Sequence, residues 1–174
     1  MLRDELEGAC LESRAVIAAE RTRVLEVLTD FGQHATLSVS PTQITVLSAQ
    51  PDRFVVHYVE SVRLWPDPTY TLTWTVQRAD DMLLLRYRGS PNDSIAGLEG
   101  FSRLELDDSG TRYRGIDCFM PPGPGFWRRR AISTALAQTA RDTLALFLRA
   151  EHADLSSDQI RQRAIEAARS TGVR

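Results

Sequence analysis

The chain has 174 residues, a formal net charge of −2 and a sequence pI near 5.9, with 21 arginines and no lysine. That length suits one compact domain with a real hydrophobic core. The missing lysine excludes Schiff-base chemistry, cofactors attached through a lysine amine and the P-loop lysine. The balanced charge argues against a nucleic-acid partner.

No window approaches the roughly 20 apolar residues of a transmembrane helix. The first residues, MLRDELEGAC, carry acids where a signal peptide needs an apolar core. Cys10 and Cys118 form neither a CxxC pair nor a disulfide framework, so reduced thiols facing outward from adjacent strands are expected. A soluble cytoplasmic protein follows as the simplest reading. His34, His57 and His152 are scattered, with no helical ligand spacing, so no metal site is expected. No nucleotide or cofactor motif occurs, and no cofactor is expected.

Residues 10–19 read as a first strand. Over residues 21–31 the period changes: Val24, Leu25, Leu28 and Phe31 recur at helical spacing. Residues 32–41 form a second short helix or loop ending near Pro41. Strands follow at 42–49, 53–65, 69–78, 82–89, 97–107 and 111–120, rich in β-branched and aromatic residues and separated by Pro, Asp and Gly turns. PPGPG at 121–125 stops the sheet. A long helix from about Phe126 to about His152 carries Ile132, Leu136, Ala140, Leu144, Phe147 and Leu148 on its apolar side. Ser156 with Gln159 is a capping-box pattern. It opens a short tail helix, weakly apolar and expected on the surface or against a partner chain, which leaves a homodimer open. The organisation is a domain over 1–152 and a helical tail over 153–174.

An α+β architecture satisfies this order: a curved antiparallel sheet of about seven strands gripping a long C-terminal helix, with two short helices after the first strand. VIAAERTRVLEVLTDF at 16–31 is similar to the strand-to-helix passage of the START-like, or SRPBCC, superfamily. GLEGFSRLELDDSGTRYRGIDCFMPPG at 97–123 resembles that family's last hairpin. The family includes the birch-pollen allergen and polyketide cyclase/dehydrase proteins. The resemblance implies a helix-grip fold and an internal cavity for a hydrophobic ligand. Without lysine, the lysine-dependent condensation of some members, such as norcoclaurine synthases, is excluded.

Turn geometry phases the strands. With Asp80-Asp81 as a two-residue turn, Trp74 faces Tyr87 and Val76 faces Leu85. With Ser109-Gly110 as the last turn, Leu106 faces Tyr113, Leu104 faces Gly115 and Ser102 faces Asp117. Glu105–Arg114 and Asp107–Arg112 then pair on the outside. One face is apolar and aromatic: Tyr58, Val62, Leu72, Trp74, Leu85, Tyr87, Leu104 and Phe119, with Ser102 beside them and Leu136 and Ala140 contributed by the long helix. Gly100 and Gly115 leave room there. Two carboxylates, Glu60 and Asp117, point inward as catalytic candidates. In an apolar cavity their pKa values would rise, as a general acid or base requires. Against this stand a solvated or ion-paired Glu60 near the mouth, and an Asp117 bonded to Ser102 or a backbone amide.

Arg128, Arg129 and Arg130 open the long helix, where cations oppose the helix dipole. An anionic ligand group or an acidic partner, such as an acyl carrier protein, would explain them; so would a solvated charge run. Three functions compete: binding of an apolar or aromatic small molecule of the lipid, polyketide or quinone class; polyketide cyclase, aromatase or dehydratase chemistry; and a protein-interaction module without ligand.

Overall fold

The computed structural model describes residues 9–40, 42–61, 68–92, 97–120 and 125–170, with the side chains of 125–129 left aside. The elements run β1 (Ala9–Ile17), α1 (Arg21–Thr29), α2 (Phe31–Leu37), β2 (Thr42–Gln50), β3 (Arg53–Glu60), β4 (Thr69–Arg78), β5 (Met82–Gly89), β6 (Gly97–Asp107), β7 (Gly110–Met120), α3 (Gly125–Glu151) and α4 (Ser157–Ser170). The seven strands form one curved antiparallel sheet in the order β1-β7-β6-β5-β4-β3-β2. Strands β2 to β7 are a meander, and α1 and α2 carry the chain from one sheet edge to the other. Helix α3 touches β1, β7, α1 and α2, so the sheet closes around it. This is the expected helix-grip architecture. No helix among the described residues is long and apolar enough to cross a membrane.

Short-range chemistry sets the joints. Asp30 ends α1 and opens α2, its carboxylate accepting from the Gln33 amide at 3.3 Å. The Asp80-Asp81 turn forms as expected, with Trp74 opposite Tyr87 and Val76 opposite Leu85. The last hairpin differs by two residues. Asp107 pairs with Gly110, Leu104 faces Tyr113, Ser102 faces Gly115, and Glu105 faces Arg112. The turn is therefore Asp108-Ser109, held by Asp107 Oδ1, which accepts from the Ser109 hydroxyl at 2.8 Å. Gly110 follows at φ +144°, where a Cβ would meet the Ile17 carbonyl oxygen at 2.1 Å. An even slip preserves every face assignment, because side chains alternate with period two. Arg112 still reaches Asp107, at 2.7 Å, but Arg114 binds Glu12 on β1 at 2.9 Å rather than Glu105.

Strand β3 ends at Glu60, shorter than the expected 53–65, and the Glu60 amide donates to the Pro68 carbonyl at 3.1 Å. Val62 lies outside the described residues. Cys10 and Cys118 are direct partners across β1 and β7 and form a disulfide with an S–S length of 2.08 Å. The expectation of reduced thiols is overturned. The two cysteines lie on adjacent strands as expected, and the register brings them directly opposite one another.

The expected capping box opens α4: the Ser156 hydroxyl accepts from the Gln159 amide at 3.3 Å, and Gln159 Oε1 accepts from the Ser156 amide at 2.9 Å. Ile160, Ala164 and Ala168 along α4 are fully buried, with Leu37 and Ala145 in the same cluster as the first two. Small residues at helical spacing let α4 sit close on α3 and α2 of its own chain, so its apolar stripe is already covered.

Candidate functional site

The inward face of the sheet divides into two apolar clusters. One joins Ile17, Val24, Leu28, Leu85, Leu104, Tyr113 and Phe147. The other joins Phe31, Val56, Tyr58, Tyr70, Leu72 and Tyr87. Over the second lies a cavity of about 200 Å³, with an adjoining lobe of about 100 Å³ that shares Glu60, Tyr70, Tyr87, Asp117 and Asp142 with it. Leu28, Leu72, Leu85, Leu98, Leu146, Tyr58 and Trp74 give the main chamber an apolar and aromatic wall.

Two tyrosine–carboxylate pairs are built by the strands. Trp74, Tyr87, Gly100 and Asp117 form one cross-strand row. Gly100 has no side chain, so the Tyr87 ring lies over it and its hydroxyl donates to Asp117 Oδ1 at 2.7 Å. A Cβ at Gly100 would stand 2.6 Å from that hydroxyl. The other pair is Tyr70, which donates to Glu60 at the end of β3. Gly115 is used similarly: Tyr113 lies over it, its hydroxyl 3.0 Å from Ser102 Oγ. The two glycines therefore make room for tyrosine rings rather than for a ligand.

Burial raises the carboxyl pKa values of Glu60 and Asp117, against the opposing effect of their tyrosine donors. Burial, reinforced by the adjacent carboxylates, also keeps Tyr70 and Tyr87 protonated well above the ordinary tyrosine range. Tyr58 is raised mainly by burial. Its hydroxyl lies close to the Trp74 indole nitrogen, yet neither atom meets the geometry of a hydrogen bond with any partner. Both are donors open to an incoming acceptor.

Two further polar groups arrive from helices. Asp142 on α3 accepts from the Val39 amide at 2.8 Å and the Ser38 hydroxyl at 3.1 Å. Burial pushes its pKa up to about 6, and the nearby Glu60 adds to the rise. His34 on α2 donates from Nε2 to the Val27 carbonyl at 3.0 Å, which leaves Nδ1 as an acceptor. Burial lowers its pKa and favours the neutral ring. Sequence reading missed both. Asp142 had a signal: it lies three residues after Thr139 and four before Leu146, both of which line the cavity. His34 had none, because its direction depends on how α2 docks.

The structure brings Glu60, Asp117, Tyr58, Leu72, Trp74, Leu85, Tyr87 and Ser102 around the main chamber. Phe119 and Leu136 line the adjoining lobe. Leu104 is completely buried in the first apolar cluster instead. Ala140 is partly buried on α3 and borders neither chamber, while its neighbours Thr139 and Asp142 do. Arg130 is exposed; the side chains of Arg128 and Arg129 lie outside the described residues. No group of three His, Cys, Asp or Glu among the described residues could hold a metal ion.

No protein-family model and no curated protein sequence matches the chain. Solved structures do. The Zhui aromatase/cyclase from Streptomyces sp. R1128 superimposes with a TM-score of 0.62 at 19% identity, covering 95% of this chain and 99% of that one. A STAR-related lipid transfer protein from Xanthomonas axonopodis gives 0.62 at 16%, covering 90% and 85%. A START superfamily protein from Mycobacterium smegmatis gives 0.54 at 14%, covering 82% and 97%. These likenesses establish the fold: the chain has the helix-grip fold that these structures share.

Proposed function

We propose that the protein binds an apolar or aromatic small molecule in the chamber between the sheet and α3. One observation carries this reading: a cavity of about 200 Å³ with an aliphatic and aromatic wall and unpartnered Tyr58 and Trp74 donors inside it. Apolar cavities with a few convergent polar groups are the usual form of a small-molecule site. The structural likeness to an aromatase/cyclase and a lipid transfer protein agrees with it. Native mass spectrometry of freshly purified protein, followed by titration with a neutral polyaromatic probe, tests it. A retained ligand, or saturable binding with quenching of Trp74, is expected. A chain that retains nothing and binds no such probe sinks the reading.

A second reading is polyketide cyclase, aromatase or dehydratase-type catalysis, favoured by three buried carboxyls and two tyrosine donors around the shared lobe. In such a reaction a carboxylate among Glu60, Asp117 and Asp142 takes a proton from the carbon beside a carbonyl. The resulting enolate attacks a second carbonyl carbon, and a tyrosine or carboxylic acid protonates the new alkoxide. Loss of water then gives the unsaturated ring. The chamber would hold the chain folded for attack. Glu60→Gln should then lower turnover of a poly-β-ketone thioester at least tenfold while leaving the fold intact; unchanged turnover removes Glu60 from the mechanism. In this reading an acyl carrier protein would dock at the arginine-rich start of α3, and its binding would weaken with salt.

A further inference from the structure

Among the described residues the ionisable acids that line the cavity face no lining cation, and Arg141, which acts on Asp142, does not line it. Glu60, Asp117 and Asp142 line it, while no arginine does among the described residues, and the chain has no lysine. The one basic ring, His34, spends its Nε2 proton on the Val27 carbonyl. Buried carboxylates are ordinarily matched by a cation or by a full set of donors. Here Glu60 and Asp117 each take a tyrosine hydroxyl, and Asp142 takes one amide and one hydroxyl. An ionised carboxylate has about four acceptor sites, so each keeps unused capacity.

Two donors stand beside these carboxyls. Tyr58 is only 7% exposed, and its hydroxyl and the Trp74 indole nitrogen have no partner beyond their closeness to one another. Both are donors and call for an acceptor. Aromatic rings border the same chamber, Trp74 packed on Tyr87 at 4.6 Å and Tyr58 on Tyr70 at 5.1 Å, and such rings suit a cation as well as a flat apolar body.

We propose that the occupant is an apolar or aromatic amine that also carries an acceptor oxygen. Its ammonium sits among Glu60, Asp117 and Asp142, and its oxygen accepts from Tyr58 and Trp74. This rests on the small-molecule reading above and narrows it: a carboxylate or phosphate ligand is disfavoured, and a neutral ligand brings the carboxyls no cation.

Three probes on one skeleton test the proposal by calorimetry at pH 7.5: 6-methoxy-2-naphthylmethylamine, the corresponding alcohol and 6-methoxy-2-naphthoic acid. The amine is expected to bind at least tenfold more tightly than the alcohol, with the acid weakest. Tyr58→Phe should weaken amine and alcohol alike, by about threefold to tenfold. Asp142→Asn and Glu60→Gln should weaken the amine more than the alcohol and so shrink the amine preference. An alcohol that binds as tightly as the amine, or an acid that binds best, overturns the ammonium assignment while small-molecule binding stands. Binding of none of the three by folded protein overturns both.

Discussion

At the end of the sheet near the β6–β7 turn, Ile17, Val24, Leu85, Leu104, Tyr113 and Phe147 fill the space between strands and helices. At the other end the same strands and the same long helix enclose a chamber bordered by Glu60, Asp117 and Asp142. The two ends differ in what faces inward, not in architecture. Where leucines meet tyrosine and phenylalanine, the grip closes dry. Where tyrosines meet carboxylates, the polar groups hold each other in place and the helix stands off. The disulfide lies at the open end of the β1–β7 pair, flanked by Asp117 and Phe119 of the cavity wall, while Ile17 and Thr111 close the packed end. The covalent link thus reinforces the end with less apolar packing.

The comparison is broken most directly by Leu104→Ala. Leu104 is fully buried and packs beside Leu83 and Tyr113. Its truncation leaves a hole in close-packed surroundings and should destabilise by about 4 kcal/mol. Urea unfolding at constant m-value measures this; a loss below about 1 kcal/mol would show that this end is not tightly packed. Next in size is Cys10→Ser. The disulfide closes a sequence separation of 108 residues. Chain-entropy arguments set a ceiling of about 5 kcal/mol for a loop of this length, and removals of native disulfides run about 2–5 kcal/mol, so a loss of about 3 kcal/mol is expected. An equal unfolding midpoint with and without dithiothreitol would show that the β1–β7 ladder alone holds that edge.

The open end has its own signature in pH. Asp142 has an ordinary value of 3.8 and about 6 in the fold, so the folded state binds this proton more tightly than the unfolded state does. Its contribution to stability is therefore complete below about pH 4 and lost as the pH rises through 6. The full difference is on the order of 2–3 kcal/mol. Asp142→Asn keeps an oxygen for the Val39 amide and removes the charge. It should raise stability at pH 7.5 by about 1–2 kcal/mol and flatten the fall between pH 4 and 7. A variant no more stable than the parent at pH 7.5 would mean that the carboxylate is well solvated or already paired.

Much of this contrast is legible in the sequence, because strand parity needs only turn positions. Asp80-Asp81 phases Trp74, Tyr87 and Leu85 correctly, and even the two-residue error at the last hairpin leaves Asp117 and Ser102 on the inner face. Parity tells which side a residue faces but not how far along the sheet the helix stands off. Leu104 and Leu72 therefore look equivalent in the pattern, although one is in the filled cluster and the other borders the cavity. The same blindness hides that Gly100 and Gly115 are overlain by tyrosine rings. Asp142 and His34 sit on helices, where facing depends on docking angles that no local period encodes. The cysteine pair is a register fact of a different kind: only the exact pairing of β1 with β7 shows that the sulfurs meet.

The smallest expected effect gives the sharpest test of the open end. Leu98 lines both chambers and is only partly buried, so its side chain already has empty space on one side. Removing methyl groups there widens an existing cavity instead of creating one, and fewer dispersion contacts are lost. Leu98→Ala should therefore destabilise by about 1 kcal/mol, a fraction of the effect of the chemically identical change at Leu104. The pair of variants holds residue type and strand constant, since both leucines belong to β6 on its inward face. A loss at Leu98 equal to that at Leu104 would mean that the sheet and α3 close on one another in solution, and that the chamber, with every function built on it, is not there.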